Sequence, residues 1–171
     1  GRKNIGFKRS QYLQDCVEKL QDYTSFFTNI LNFKYAILCV KAQQKIASLC
    51  TDIDMNMLWV TYVTGIALYA RLYDYKQLFE FCEEGLKVAR ENGDVELEFI
   101  IIARKWAQCY TATLQDPSLD IDLAQMETEE QLLRLYAPYD NNADNFVKSL
   151  IDQEMRKLEE VGPSGFSSCK V

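Results

Sequence analysis

The sequence predicts an all-α chain of antiparallel helical hairpins stacked on one another, and three observations carry that expectation. Apolar residues recur every three or four positions over most of the chain, the period of a helix with one buried face. Helix start and stop signals, Asn32, Asp74 and Asn92-Gly93-Asp94, interrupt the pattern at short intervals. Composition agrees: 48% of the 171 residues are hydrophobic, with 7 Gly and 3 Pro, which suits a helical chain long enough for one well-buried core.

The elements follow in order. A start at Gly1 rather than at a methionine leads to the expectation of a segment from a longer protein, and residues 1–9 are expected to be a flexible N-terminal segment with a basic start (Arg2, Lys3, Lys8, Arg9). From Ser10, the positions Tyr12, Cys16, Leu20, Tyr23, Phe27 and Ile30 predict an amphipathic helix ending near Leu31. Asn32-Phe33-Lys34 opens a second helix, Tyr35 to Cys50. Within Tyr62 to Asp94, the stripes Tyr62/Ile66/Tyr69/Tyr73 and Leu78/Phe79/Cys82/Leu86/Ala89 flank a polar step at Asp74, giving a helix, a tight turn and a second helix. Each of these helices alone leaves apolar surface wet, so the hairpin must bury it against itself and its neighbours.

Val95 to Leu114 carries Phe99, Ile102, Ala103, Trp106 and Tyr110 on one stripe. Ile100 and Ile101 widen it, so this helix should be buried on two sides. Asp116-Pro117-Ser118 stops it. An acidic insert over 116–130 then displaces the next helix to Thr128–Tyr136, where Thr128 and Gln131 have capping-box spacing. Ala143 to Glu160 forms a last amphipathic helix through Phe146, Leu150, Ile151, Met155 and Leu158, suited to cap the open end of a stack, and 161–171 is expected to be a flexible tail.

The chain also resembles itself. When it is slid so that Asn32-Phe33-Lys34 falls on Asp74-Tyr75-Lys76, Phe27 falls on Tyr69, Ile46-Ala47 on Val88-Ala89 and Asp52 on Asp94; a further slide places Tyr110 on Tyr69. Agreement sits at the turns, helix ends and packing aromatics. Repeats are read at about 10–52, 53–94 and 95–136, with a capping helix at 143–160, in one domain over 10–160. Tyr69, the Asp74-Tyr75 step, the apolar-aromatic second helix and the ending Leu-Lys-Val-Ala-Arg-Glu-Asn-Gly-Asp are similar to a tetratricopeptide repeat of the longer-helix kind. The sequence departs from that pattern at Ile66 and Leu78, where small residues are expected, and at Tyr73, where the pattern has the inter-helix glycine. The resemblance implies a short right-handed solenoid.

Function classes narrow by exclusion. A net charge of −6 and a pI of about 4.8 argue against nucleic-acid phosphate as the main ligand. No apolar run reaches the roughly 18 residues of a membrane span, since Phe99–Ala103 is closed by Arg104-Lys105. The cysteines, Cys16, Cys39, Cys50, Cys82, Cys109 and Cys169, contain no Cys-x-x-Cys, and five fall in predicted helices among apolar neighbours. They read as reduced thiols of a cytoplasmic or nuclear protein.

Without a histidine, Ser-His and Cys-His nucleophiles and most transition-metal sites are excluded. Glu80, Glu83 and Glu84 share a helical face with Lys76 and Lys87 and read as a solvated, salt-bridged surface. Asp116, Asp120 and Asp122 lack the glycine and terminal glutamate of a calcium loop, and no glycine-rich phosphate loop exists. No cofactor, no metal and no enzymatic activity are expected.

What the resemblance implies is a groove lined by the first helix of each hairpin. The inward positions would be Gln21, Ser25 and Thr28; then Val60, Val63, Thr64 and Ala67; then Ile101, Arg104, Lys105, Gln108 and Thr111. Of these, Gln21, Ser25, Thr28, Val63, Thr64, Ala67, Arg104, Lys105, Gln108 and Thr111 are the candidate partner-binding residues, although Val60, Val63 and Ala67 read equally well as core. Gln21, Ser25, Thr64 and Ile101 replace the basic and amide residues of the family's carboxylate clamp, so a chaperone C-terminus is not the expected partner. An apolar middle with a basic edge at Arg104-Lys105, neither with an acid just downstream on its own helix, suits an amphipathic helix or an acidic-apolar segment. The expected role is therefore a non-enzymatic adaptor binding a protein or peptide partner. The alternative is a structural solenoid that stacks on adjacent repeats or forms a homo-oligomer.

Overall fold

The computed structural model describes residues 2–50, 55–121 and 156. Described residues form five α-helices and no strand: α1 (Arg2–Asn29), α2 (Phe33–Leu49), α3 (Met55–Arg71), α4 (Tyr75–Glu91) and α5 (Val95–Gln115). The predicted all-α class holds. The expected helix at 128–136, the acidic insert beyond 121 and nearly all of the expected capping helix lie outside the described residues. The first helix begins at Arg2 rather than at Ser10, so the basic start is helical.

Three of the helix starts use the same local device. Asn32, Asp74 and Asp94 each turn a side-chain oxygen onto the backbone N–H three residues ahead, at Tyr35 (3.3 Å), Gln77 (3.2 Å) and Leu97 (3.0 Å), supplying an acceptor to a first turn whose donors otherwise lack one. The residue before each cap is left-handed: Leu31 at φ 61°, Tyr73 at φ 56° and Gly93 at φ 63°. At the first and third sites the departing helix ends in paired bonds. Leu31 N–H donates to Thr28 C=O and Asn32 N–H to Phe27 C=O, as Gly93 donates to Arg90 and Asp94 to Ala89. Tyr73, noted above for standing where a glycine is expected, thus carries the conformation that glycine would have favoured. Left-handed backbone costs an L-residue roughly 1–2 kcal/mol, which Leu31 and Tyr73 bear while their side chains stay exposed.

The chain forms two compact units, Gly1–Tyr73 and Asp74–Val171. In the first, α1 packs on α2 and α2 on α3. Phe27 meets Tyr35 beside the turn while Thr24 meets Gln43 farther from it, so α1 and α2 are antiparallel. Arg71 at the end of α3 lies over the Phe33 ring at the start of α2, while Thr61 bonds Gln43, so α2 and α3 are antiparallel as well. α1 and α3 therefore run the same way. The core here is Val17, Ala36, Ile37, Val40, Ala47, Leu58, Tyr62, Ile66, Leu68 and Tyr69. Of the first central stripe, Tyr62, Ile66 and Tyr69 are buried as the periodicity predicts, whereas Tyr73 sits past the helix end and is 73% exposed.

A polar knot crosses this core. Gln43, 1% exposed, donates from Nε2 to Thr24 Oγ1 at 2.8 Å and presents Oε1 to Thr61 Oγ1 at 2.9 Å. Thr24 passes its own proton to Leu20 C=O at 2.7 Å, and Thr61 has Met57 C=O as a second acceptor at 2.9 Å. Buried polar atoms satisfied from both sides tie α1, α2 and α3 to one register.

In the second unit, α4 and α5 form an antiparallel pair, with Arg90 reaching Glu98 near the turn and Lys105 reaching Glu83 farther out. Leu78, Phe81, Cys82, Leu86 and Ala89 of α4 are buried, and Phe79 is half-buried. Phe99, Ile100, Ile101, Ile102 and Ala103 are all buried in sequence. Five consecutive residues go more than once round a helix, so α5 is enclosed there, beyond the expected two sides. α5 ends at Asp116, whose extended backbone (φ −140°) is what the following proline imposes, and Asp116 Oδ1 accepts from both the N–H and the hydroxyl of Ser118.

One expectation is corrected. The α1 stripe does not face inward: Tyr12, Tyr23 and Ile30 are each more than half exposed, whereas Val17 and Thr24 are buried. This helix carries two adjoining apolar ridges, and α2 and α3 cover the one through Val17.

Candidate functional site

The ten candidate residues fall into two groups. Six lie in the first unit on the parallel neighbours α1 and α3, which the Gln21 amide joins by donating to Met57 C=O at 3.4 Å. Toward solvent on α1 are exposed Ser25 and half-buried Gln21 and Thr28, the Thr28 hydroxyl donating to Thr24 C=O. On α3, Val60 and Ala67 are exposed and Val63 and Thr64 half-buried. Val60 and Ala67 are therefore outside the core and Val63 lies at its edge, and together they form an apolar strip on α3, the helix that Gln21 of α1 reaches. Beside them, half-buried Trp59 holds its Nε1 out of solvent with no hydrogen-bond partner among the described residues.

The other four lie on α5 in the second unit, where Arg104, Gln108 and Thr111 are half-buried at successive helical turns. Lys105 differs from the expectation that it is free to meet an outside partner. It is 6% exposed, its ammonium lies 3.6 Å from Glu83 Oε1, and it stands 5.1 Å over the Phe79 ring. A buried ammonium needs such compensation. That partner is on α4, so it is invisible to a reading of acids along α5 alone. Arg104 is also engaged within the protein, and Ile101, mapped inward, is core. The basic edge is thus used internally.

The Glu80/Glu83/Glu84 face resolves similarly: Glu83 turns to Lys105, while Lys87 pairs with exposed Glu91 at 4.0 Å. Cys16, Cys39, Cys50, Cys82 and Cys109 are not in disulfides, and Cys169 lies outside the described residues. Burial pushes the Cys109 thiol up to about 11 against the pull of Lys105, and burial likewise raises Cys39, opposed by its hydrogen bond with Thr24. Raised thiols are poor nucleophiles. Among the described residues no group of three or more Cys, Asp or Glu is arranged to hold a metal ion, and no helix is long and apolar enough to cross a membrane.

Sequence reasoning missed Gln43. Its signal was present, since it falls in step with Ala36, Val40 and Ala47 on the buried face of α2.

Compared with family models, curated proteins and solved structures, the chain matches none.

Proposed function

We propose that this chain is a non-enzymatic protein-interaction module, an adaptor of tetratricopeptide-like hairpins within a larger assembly, that takes a partner helix or peptide along α1 and α3. The observation that carries the reading is the pairing of Val60, Val63 and Ala67, set toward solvent on α3, with Gln21 and Ser25 on the parallel α1 beside it. Aliphatic groups left wet beside amide and hydroxyl groups suit the apolar face of an amphipathic helix whose flank can hydrogen-bond. With Lys105 paired to Glu83, the acidic element of the partner loses its support and the apolar element remains. An intracellular compartment fits cysteines that form no disulfide with one another among the described residues.

The test is selection of helical peptides from a displayed library on the whole chain, followed by binding to Ala67→Arg and Val63→Asp variants whose helicity by circular dichroism matches the parent. Selected peptides should be amphipathic and lose at least about tenfold in affinity, the scale of a 1.4 kcal/mol loss. Peptides that bind both variants unchanged would remove α3 from the site.

A further inference from the structure

The apolar ridge of α1 left uncovered by α2 and α3 is regular. Tyr12, Cys16, Lys19, Tyr23, Phe26 and Ile30 alternate steps of four and three, and Tyr35, Leu38, Ala42, Lys45 and Leu49 of α2 alternate three and four. These are heptad seams, the spacing by which helices pack on other helices. The two seams share one face of the hairpin: the Phe26, Phe27 and Tyr35 rings follow one another at centroid distances of 5.4 Å across the α1–α2 junction. Gln21 and Gln44, which reach α3, sit on the other sides of their helices.

Seven large side chains on this face, Tyr12, Tyr23, Phe26, Ile30, Tyr35, Leu38 and Leu49, are each more than half exposed. At the usual size of such side chains, covering them removes roughly 800 Å² from solvent, about one partner's share of a standard stable interface and more than the largest apolar patch of most monomers.

The rims of the face carry opposite charge. Asp15 and Asp22 flank the α1 seam on the side away from α2, while Lys34 and Lys41 flank the α2 seam on the side away from α1, and all four are exposed. α2 holds three lysines and no acid. A two-fold axis running along the helices would lay α1 of one copy antiparallel on α2 of the other, with acidic rim against basic rim; an axis across them would set acid on acid. The Thr24–Gln43 bond and the Phe27–Tyr35 contact between them level Asp22 with the stretch 40–45 of α2, which carries Lys41 and Lys45 one turn apart. Lys19 lies between Asp15 and Asp22 on its own helix, its stem available to pack along the seam.

We propose that the outer face of the α1–α2 hairpin is a self-association surface, on which a second copy of this chain docks to form a four-helix bundle, with Asp22 of each copy against Lys41 and Lys45 of the other. This goes beyond the α1–α3 binding reading and is independent of it.

The test is sedimentation equilibrium of the whole chain with two charge-reversed variants, Asp22→Lys and the double Lys41→Glu/Lys45→Glu, and with Phe26→Arg. The parent should dimerise, more weakly in high salt. Each charge variant alone should lose about tenfold or more in self-affinity, and the two mixed should form a heterodimer, since both contacts then pair opposite charges. Phe26→Arg should be monomeric with unchanged helicity. A parent that stays monomeric to about 100 µM would overturn the proposal and leave the face to a different occupant. So would charge variants that dimerise alone as well as they do together. The mixing experiment does not depend on how Phe26→Arg folds.

Discussion

The two units solve the same problem, a polar side chain in a packed core, by different means. In the first, a neutral amide is held by two threonines: Gln43 donates from Nε2 to Thr24 and accepts at Oε1 from Thr61, and each threonine also has a backbone carbonyl within reach. In the second, the buried group is an ammonium, Lys105, and its counter-charge Glu83 is 65% exposed at the side chain. The neutral knot is short, rigid and indifferent to salt, whereas the ion pair has one member in water and is correspondingly screened. A buried polar group can therefore specify register in either form, but only the second makes that unit sensitive to the solution.

The largest expected effect breaks the neutral knot. Gln43→Ala should cost about 3 kcal/mol, from a cavity where no side chain follows. Gln43→Leu should cost about 1 kcal/mol, because both hydroxyls keep their backbone carbonyls. Urea denaturation measures both, and equal losses would mean that the hydrogen bonds, not the volume, hold the helices.

Next is the alkaline response of the second unit. The folded Cys109 thiol titrates at about 11 against an ordinary value of 9.0. The unfolded chain therefore releases this proton first, and stability falls as pH rises from 9 through 11, by about 2 kcal/mol. Cys109→Ala should flatten that fall relative to the parent, and a parallel slope in both proteins would refute the assignment.

A smaller effect sharpens the contrast in charge. Glu83→Gln should lower stability by about 1 kcal/mol at low salt and by less at 0.5 M salt, while Lys105→Met should be close to neutral, since a buried charge is replaced by an apolar chain of similar length. Thermal melts at two salt concentrations separate these outcomes.

The smallest concerns the turns. Tyr73→Gly should stabilise by about 0.5–1 kcal/mol by relieving left-handed strain, and Gly93→Ala should destabilise by a similar amount, although a methyl there meets nothing within 4 Å. If Gly93→Ala were neutral, backbone strain would not be what distinguishes these positions.

The helices were legible because their signals are local. The starts at Asn32, Asp74 and Asp94 and the stop at Asp116-Pro117 can be read within four residues. The stripes Tyr62/Ile66/Tyr69 and Leu78/Cys82/Leu86/Ala89 each have one apolar face and so admit one orientation. The candidate site was less legible. Val60, Val63 and Ala67 are apolar and in helical phase, and only their half or full exposure separates them from core. Lys105 looked unpaired because its carboxylate lies on another helix, 22 positions back in the chain.

By itself, the sequence determined that the described chain is helical and where most of its helices begin and end; the left-handed backbone before each cap, borne even by leucine and tyrosine, came from the structure. Tertiary structure alone decided which of the two apolar ridges of α1 is covered, that Gln43 rather than an aliphatic residue ties three helices together, and that Lys105 is spent on Glu83. Capping and periodicity act over a few residues, so the sequence states them directly. Burial and ion pairing depend on which helix arrives alongside, and a helix with apolar residues on more than one side fits more than one neighbour until packing chooses.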